Sequence, residues 1–384
     1  MKKIISSMLI LCTSLSLLAG CGKRETPSET EVPPAAEDTS GRETEVEINV
    51  ETESGEIPTL VVANWKGYGA DEEFGAPRFE ELYNCKVEFV YFNSVEELYT
   101  MLQTGGIGNI DVALPSTVYT QTFRESGMLE PVDTSKVPCY GDLMEAYLNL
   151  PEATGEGGEV YALPWTWGTT SLGYNPEAVT EEVTTWDILY GDAHKGKIAF
   201  FDDYVTALMT SAIHTGQNPS DPDNLDLQVI KEDLLALKEN VCTYWASYDD
   251  YLNPYTSGEV VIGNMWAGTA TQLKNSGTPC NYIYPVEGTV GYVDMWCIIK
   301  DTDCYDLACK WLDFMCGEEF QYNFATVEGN AHNTVNNKVY EKLTDEQKAA
   351  VWALEIPSKV YMQPVLTPEQ QNDWLEVWNE VKAN

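Results

Sequence analysis

Aromatic rings at loop-like positions and carboxylates near strand ends are the residues best placed to do chemistry in this chain. It holds 11 Trp and 22 Tyr, and Trp65, Tyr68, Trp165, Trp167, Trp266 and Tyr292 all lie close to glycines. In a cleft, such rings hold sugars by stacking or cations through the negative ring face, at about 0.5–2 kcal/mol each. Elsewhere the same rings simply pack a core. The carboxylates point to the cation. Asp202-Asp203 ends a buried-type strand, and Asp294 lies within Gly291-Tyr292-Val293-Asp294-Met295-Trp296. A carboxylate among aromatic rings carries a desolvation cost unless a positive charge meets it. Asp203 and Asp294 are therefore candidate ligand contacts, with surface or structural roles as the alternative.

The signatures of catalysis are missing. Thr104-Gly105-Gly106-Ile107-Gly108 follows a helix pattern and precedes a strand, the reverse of a dinucleotide loop, and reads as a flexible turn. The chain has no GxxxxGK[ST], GxSxG, HExxH or CxxC, and only three histidines, so zinc chemistry and a cofactor are not expected. A secreted hydrolase working through a carboxylate pair stays open, because such pairs leave weak signatures.

Alternating strands and helices position these residues. Thr59 to Asn64, Val87 to Phe92 and Ile110 to Leu114 read as strands, with a helix from Phe74 to Tyr83 between the first two. Ser94-Val95-Glu96-Glu97 reads as a capping box opening a second helix that Gly105 stops. This βαβαβ run demands a parallel sheet with helices on both faces. In open α/β sheets ligands sit beyond the carboxyl ends of the strands, which puts Trp65, Tyr68 and Ser116 on that edge. A second α/β stretch follows, with Ala162-Leu163-Pro164, a strand from Ile198 to Phe201 and a helix from Tyr204 to His214.

The N-terminus reads as an export signal. Lys2 and Lys3 precede an apolar run, Ile4 to Leu18, too short to span a bilayer. Leu18-Ala19-Gly20-Cys21 looks like a lipobox, with cleavage after residue 20 and lipid on Cys21. The chain is thus expected to be anchored to the membrane surface, facing the periplasm or the cell exterior. Residues 21–57 read as a disordered acidic tether of Glu, Thr, Pro and Ser, able to span about 30–110 Å. Loss of two lysines and no acid with residues 1–20 takes the formal charge from −39 to −41, which excludes nucleic acid as a partner. Beyond Cys12 and Cys21, the eight cysteines are expected to serve mostly as small buried apolar residues.

Several longer runs then carry a resemblance. Asn64-Trp65-x-x-Tyr68, Pro115-Ser116-Thr117 and Leu163-Pro164-Trp165-x-Trp167-Gly168-Thr169-Thr170 come first in the chain. Asn253-Pro254-Tyr255, Gly258-Glu259-Val260, Met265-Trp266-Ala267-Gly268 and Pro285-Val286-Glu287-Gly288 follow in order. Taken together the sequence resembles the spermidine/putrescine-binding proteins of bacterial ABC importers, within the two-lobed type II periplasmic-binding-protein fold. The likeness covers nearly all of residues 58–384.

That resemblance implies an α/β protein with a ligand cleft between lobes of residues 58–166 plus 292–337 and 167–291 plus 338–384. It places Trp65, Tyr68, Ser116, Asp203, Trp266, Tyr292, Asp294 and, more loosely, Gln363 in the cleft. It further implies a monomer that captures a polyamine, does no chemistry on it, and delivers it to the permease and ATPase subunits of an importer. The departures from the pattern bear on the ligand. Tyr292 stands where a Trp is usual, Thr206 where spermidine binders carry a Glu, and Thr269 where putrescine binders carry an Asp. Val118 and Gly329 stand where Tyr is frequent. Two clear carboxylates remain, which favours putrescine over spermidine unless Asp71 or Glu72 supplies a third. A receptor for an opine, thiamine or a quaternary amine is the alternative within the binding class.

Overall fold

The computed structural model describes residues 57–92, 94–148, 150–328, 331–353 and 359–383. The expected signal segment, Cys21 and the tether through Glu56 lie outside the described residues, as does Gly329. The βαβαβ unit forms as expected. Strands β1 (Thr59–Trp65), β2 (Lys86–Phe92) and β3 (Val112–Ala113) run parallel, with the helices Ala76–Tyr83 and Val95–Met101 between them. The first helix begins at Ala76, two residues later than expected, because Pro77 presets the helical φ of its first turn. Ser94 caps the second helix by accepting the Glu97 amide at 3.2 Å. The third strand is shorter than expected, but its pairing continues on either side. Asp111 N–H donates to Val61 O at 2.9 Å and Leu114 N–H to Ala63 O at 3.1 Å.

Eight further strands complete one sheet. They are β4 (Leu129–Glu130), β5 (Ala162–Tyr174), β6 (Ile198–Phe201), β7 (Val241–Trp245), β8 (Ile262–Trp266), β9 (Asn281–Ile283), β10 (Thr289–Ile299) and β11 (Val360–Met362). The order is β2-β1-β3-β10-β5-β8-β6-β7, with β4 and β11 paired to β10 and β9 to β5. β10 runs antiparallel to β3 and β5, and β5 antiparallel to β8. β5 and β10 are the long central strands, and almost every residue in both is buried.

Those two strands thread separate apolar cores. The first core holds Leu60, Phe79, Trp165, Trp167, Val293, Trp296, Trp311 and Phe324. A second gathers Leu172, Trp186, Leu208, Ile262, Val290, Trp374 and Trp378, and a third, smaller one surrounds Trp245, Tyr251 and Met265. Each large apolar side chain buried there contributes about 1.5–3 kcal/mol. Within β5 the membership changes between Trp167 and Leu172, and within β10 between Val290 and Val293. Of the eight described cysteines, all unpaired, five are buried and only Cys242 is exposed. No helix among the described residues is long and apolar enough to cross a membrane.

Candidate ligand-binding site

Asp294 owes its position to a bulge. In the β5–β10 ladder Tyr292 faces Gly168 and Asp294 faces Thr166, yet Met295 faces Pro164, so Trp165 is the extra residue. Proline has no N–H to give the ladder, and pairing slips beside it. On its other side Asp294 forms a bridge with Ser116, and Met295 N–H donates to Pro115 O at 3.1 Å. Asp294 is thereby held at the start of the Thr117–Glu125 helix with only 6% of its surface exposed.

No cation meets it. Asp294 Oδ2 accepts the Tyr68 O–H at 2.6 Å, and no Lys, Arg or His among the described residues pairs with it. Burial pushes the carboxyl up to about 7, against the opposing effect of the Tyr68 hydrogen bond. His332 stands edge-on to Tyr68 at 4.9 Å, but burial pulls its imidazole down to about 3, so it is neutral. Tyr68, Tyr248 and Tyr292 are all pushed above the ordinary phenol range, first by burial and further by the negative charge of Asp294. Tyr292 lies two residues before Asp294 and therefore projects from the same face of β10.

Trp266 ends β8 and starts the Ala267–Asn275 helix. Its half-buried ring meets Phe201, Trp245 and Tyr248 edge-on at 4.8–5.1 Å. Gln363 is tied to β10 by its N–H to Gly291 O at 3.0 Å, while its side-chain Oε1 is buried without a partner. Ser116 occupies a helix N-cap position, yet its hydroxyl makes no capping bond. Trp65 donates its indole N–H to Leu114 O at 3.0 Å and packs on Phe92.

Asp203 is held differently. It caps the Tyr204–His214 helix, its Oδ1 accepting the Thr206 amide at 2.7 Å. Burial pushes its carboxyl up to about 6; the Thr206 hydrogen bonds oppose this, and the charges of Glu96 and Asp202 add to it. Glu96 accepts the Tyr119 O–H, and Tyr119 packs against both the first and second cores.

Tyr68, Ser116, Tyr292, Asp294, Trp266 and Gln363 thus gather around one stretch of β10, directly or through Tyr248 and Gly291. Neither hydrogen bond nor ring contact joins Trp65 or Asp203 to that group among the described residues. Asp71 and Glu72 are exposed, and Asp71 instead accepts the Tyr91 O–H at 2.9 Å. The carboxylates that act on Asp203 are Glu96, which the sequence shows only as a residue of the capped helix, and its neighbour Asp202. Tyr248 was missed as well. It follows the capping residue Ser247, and nothing local separates it from an ordinary surface tyrosine. Among the described residues no three His, Cys, Asp or Glu side chains are grouped to hold a metal.

Comparison with known proteins follows the same line. The family model described as bacterial extracellular solute-binding protein matches residues 76–355. A spermidine/putrescine-binding periplasmic protein of Escherichia coli is 29% identical over 261 residues, 67% of this chain and 72% of that one. A putrescine-binding periplasmic protein of the same organism is 24% identical over 356 residues, covering 88% and 94%. The solved spermidine/putrescine ABC transporter substrate-binding protein of Streptococcus pneumoniae superimposes with a TM-score of 0.72 at 24% identity, over 85% of this chain and 99% of that one.

Proposed function

The chain belongs to the bacterial extracellular solute-binding protein family, and from that premise we propose that it captures a polyamine, putrescine or spermidine, for an ABC importer. One observation carries the reading: Asp294 is buried among aromatic rings, Asp203 is half-buried at a helix N-terminus, and no cation of the described chain pairs with either. A diamine supplies what both lack. Its ammonium groups pair with the carboxylates, and its methylene chain lies against Trp65, Tyr68, Trp266 and Tyr292. Ser116 and the Gln363 Oε1 offer further acceptors.

Capture works by closure of two lobes, residues 58–166 plus 292–337 and 167–291 plus 338–384, about β5 and β10. A ligand touching both lobes binds the closed state more tightly and so populates it. The protein acts as a monomer tethered through lipid on Cys21, and the loaded form docks on the permease. On this reading Cys21→Ala releases the protein into the medium or leaves it unprocessed; retention on membranes after a high-salt wash rules the anchor out.

Calorimetric titration of putrescine and spermidine into the folded protein tests the ligand class. Saturating binding of either amine, with a thermal stabilisation of ~2.7 kcal/mol at 100 times its Kd, is expected. Binding of an amino acid, sugar or opine with no response to either amine overturns it.

A further inference from the structure

The Asp294 end of the site holds more open acceptors than the motif residues supply. Tyr68 occupies Asp294 Oδ2, and Oδ1 takes no hydrogen bond among the described residues. The hydroxyls of Tyr292 and Tyr248 likewise take part in none. Tyr248 opens the Tyr248–Ser257 helix, where a capping box between Ser247 and Asp250 fixes its backbone. Its ring stands edge-on to Trp266, with centroids 5.1 Å apart.

Two glycines make room for these hydroxyls. A Cβ at Gly268 would lie 2.6 Å from Tyr248 Oη, and one at Gly168 would lie 2.4 Å from Tyr292 Oη. Neither glycine has a positive φ, so close approach is the reason for both. Each lies two residues from the antiparallel pair Thr170–Trp266, toward the same end of the sheet. Each phenol oxygen is thus admitted by its own glycine, and the two tyrosines, from distant chain segments, lie near enough to Asp294 to feel its charge.

The geometry points to Tyr248 as a ligand-contacting residue that, with Tyr292 and Asp294, selects a primary ammonium over a methylated one. This rests on the polyamine reading and sharpens it. A primary ammonium carries three N–H donors, and Asp294 Oδ1, Tyr248 Oη and Tyr292 Oη are three acceptors. Hydrogen bonds to a charged donor are the strong ones, so each missing donor or acceptor weakens capture. A quaternary ammonium has no N–H and leaves all three oxygens unsatisfied.

Titration of putrescine and spermidine, each beside its fully N-methylated quaternary counterpart, into the parent and Tyr248→Phe proteins tests this. The phenylalanine keeps the ring against Trp266 and removes only the oxygen. The primary amines should weaken about tenfold or more in the variant, while the quaternary forms stay within about threefold. Gly268→Ala, which crowds the hydroxyl and keeps the ring, should narrow the same preference. Equal weakening of both ligand forms, or no change in either variant, overturns the assignment while the polyamine reading stands. A parent protein that binds no primary amine overturns both.

Discussion

Asp294 hangs from the middle of a sheet and Asp203 caps a helix, and the two settings treat the same carboxylate differently. Around Asp294 the groups are phenols, indoles and a neutral imidazole, which offer O–H dipoles and ring faces but no net charge. At Asp203 the first-turn amide of Thr206 donates directly, and the helix N-terminus adds its partial positive charge. Burial raises both, to about 7 and about 6 respectively. The chain thus offsets more of the Asp203 charge itself and leaves more of the Asp294 charge to the solute. Affinity should therefore be unequally divided between the two ends.

Replacing each aspartate by asparagine tests that division. At Asp294 the change keeps shape and removes the charge a buried ammonium depends on, a loss of about 2–5 kcal/mol, or roughly 30- to several-thousand-fold in Kd. Asparagine caps a helix as well as aspartate does and carries no buried charge, so Asp203→Asn should not lower the melting temperature near neutral pH and should raise it slightly. Its affinity loss should be smaller, about tenfold, because the helix had already offset part of the charge. Titrations at one ionic strength settle the order; an equal or larger loss at Asp203 breaks the comparison.

Proton linkage gives the next effect. Unfolded, an aspartate has a pKa near about 3.9; folded, Asp294 holds its proton up to about 7. Between those limits the native chain binds a proton that the unfolded chain has lost. The unliganded protein should therefore lose a few kcal/mol of stability as pH rises from about 4 to about 7, then level off. Ammonium capture needs the ionised form, so affinity should rise over the same interval. Melts and titrations at about pH 5 and 8 measure both trends, and Asp294→Asn should flatten most of each. A parent whose affinity does not change between those pH values contradicts the raised carboxyl.

The smallest effect sharpens the Asp203 end. Thr206 is 1% exposed and lies on the first turn that Asp203 caps. Thr206→Glu adds a carboxylate close to Asp203, and Asp203 already feels Glu96. The unliganded variant should lose about 1–3 kcal/mol, and spermidine should recover more of it than putrescine. Thermal shifts with each amine check this; equal recovery means that the third amine finds no partner there.

Local pattern made part of this legible. The Ile198–Phe201 strand and the Tyr204–His214 helix stand where their apolar runs put them, while the capping role of Asp203 shows only in the structure. The opening βαβαβ unit is likewise written in short-range periodicity. What the chain could not reveal locally is long-range: β10 pairs with residues 120 or more positions earlier in β5 and β3, and the bulge at Trp165 exists only through that pairing. The neighbourhood of Asp294 followed from matching motifs, whereas Tyr248 and the Glu96–Tyr119 contact depend on packing that no local spacing encodes.

The threading of β5 and β10 through the cores also governs when the chain can fold. The first core needs Val293 to Phe324 as much as Leu60 to Trp167. As the polypeptide leaves the ribosome, its opening third has no complete interior until the segment beyond Ile299 has emerged. Pairing across such sequence distances makes folding slow. The early segment therefore stays without a completed core for most of synthesis, the condition in which a translocase can still thread it.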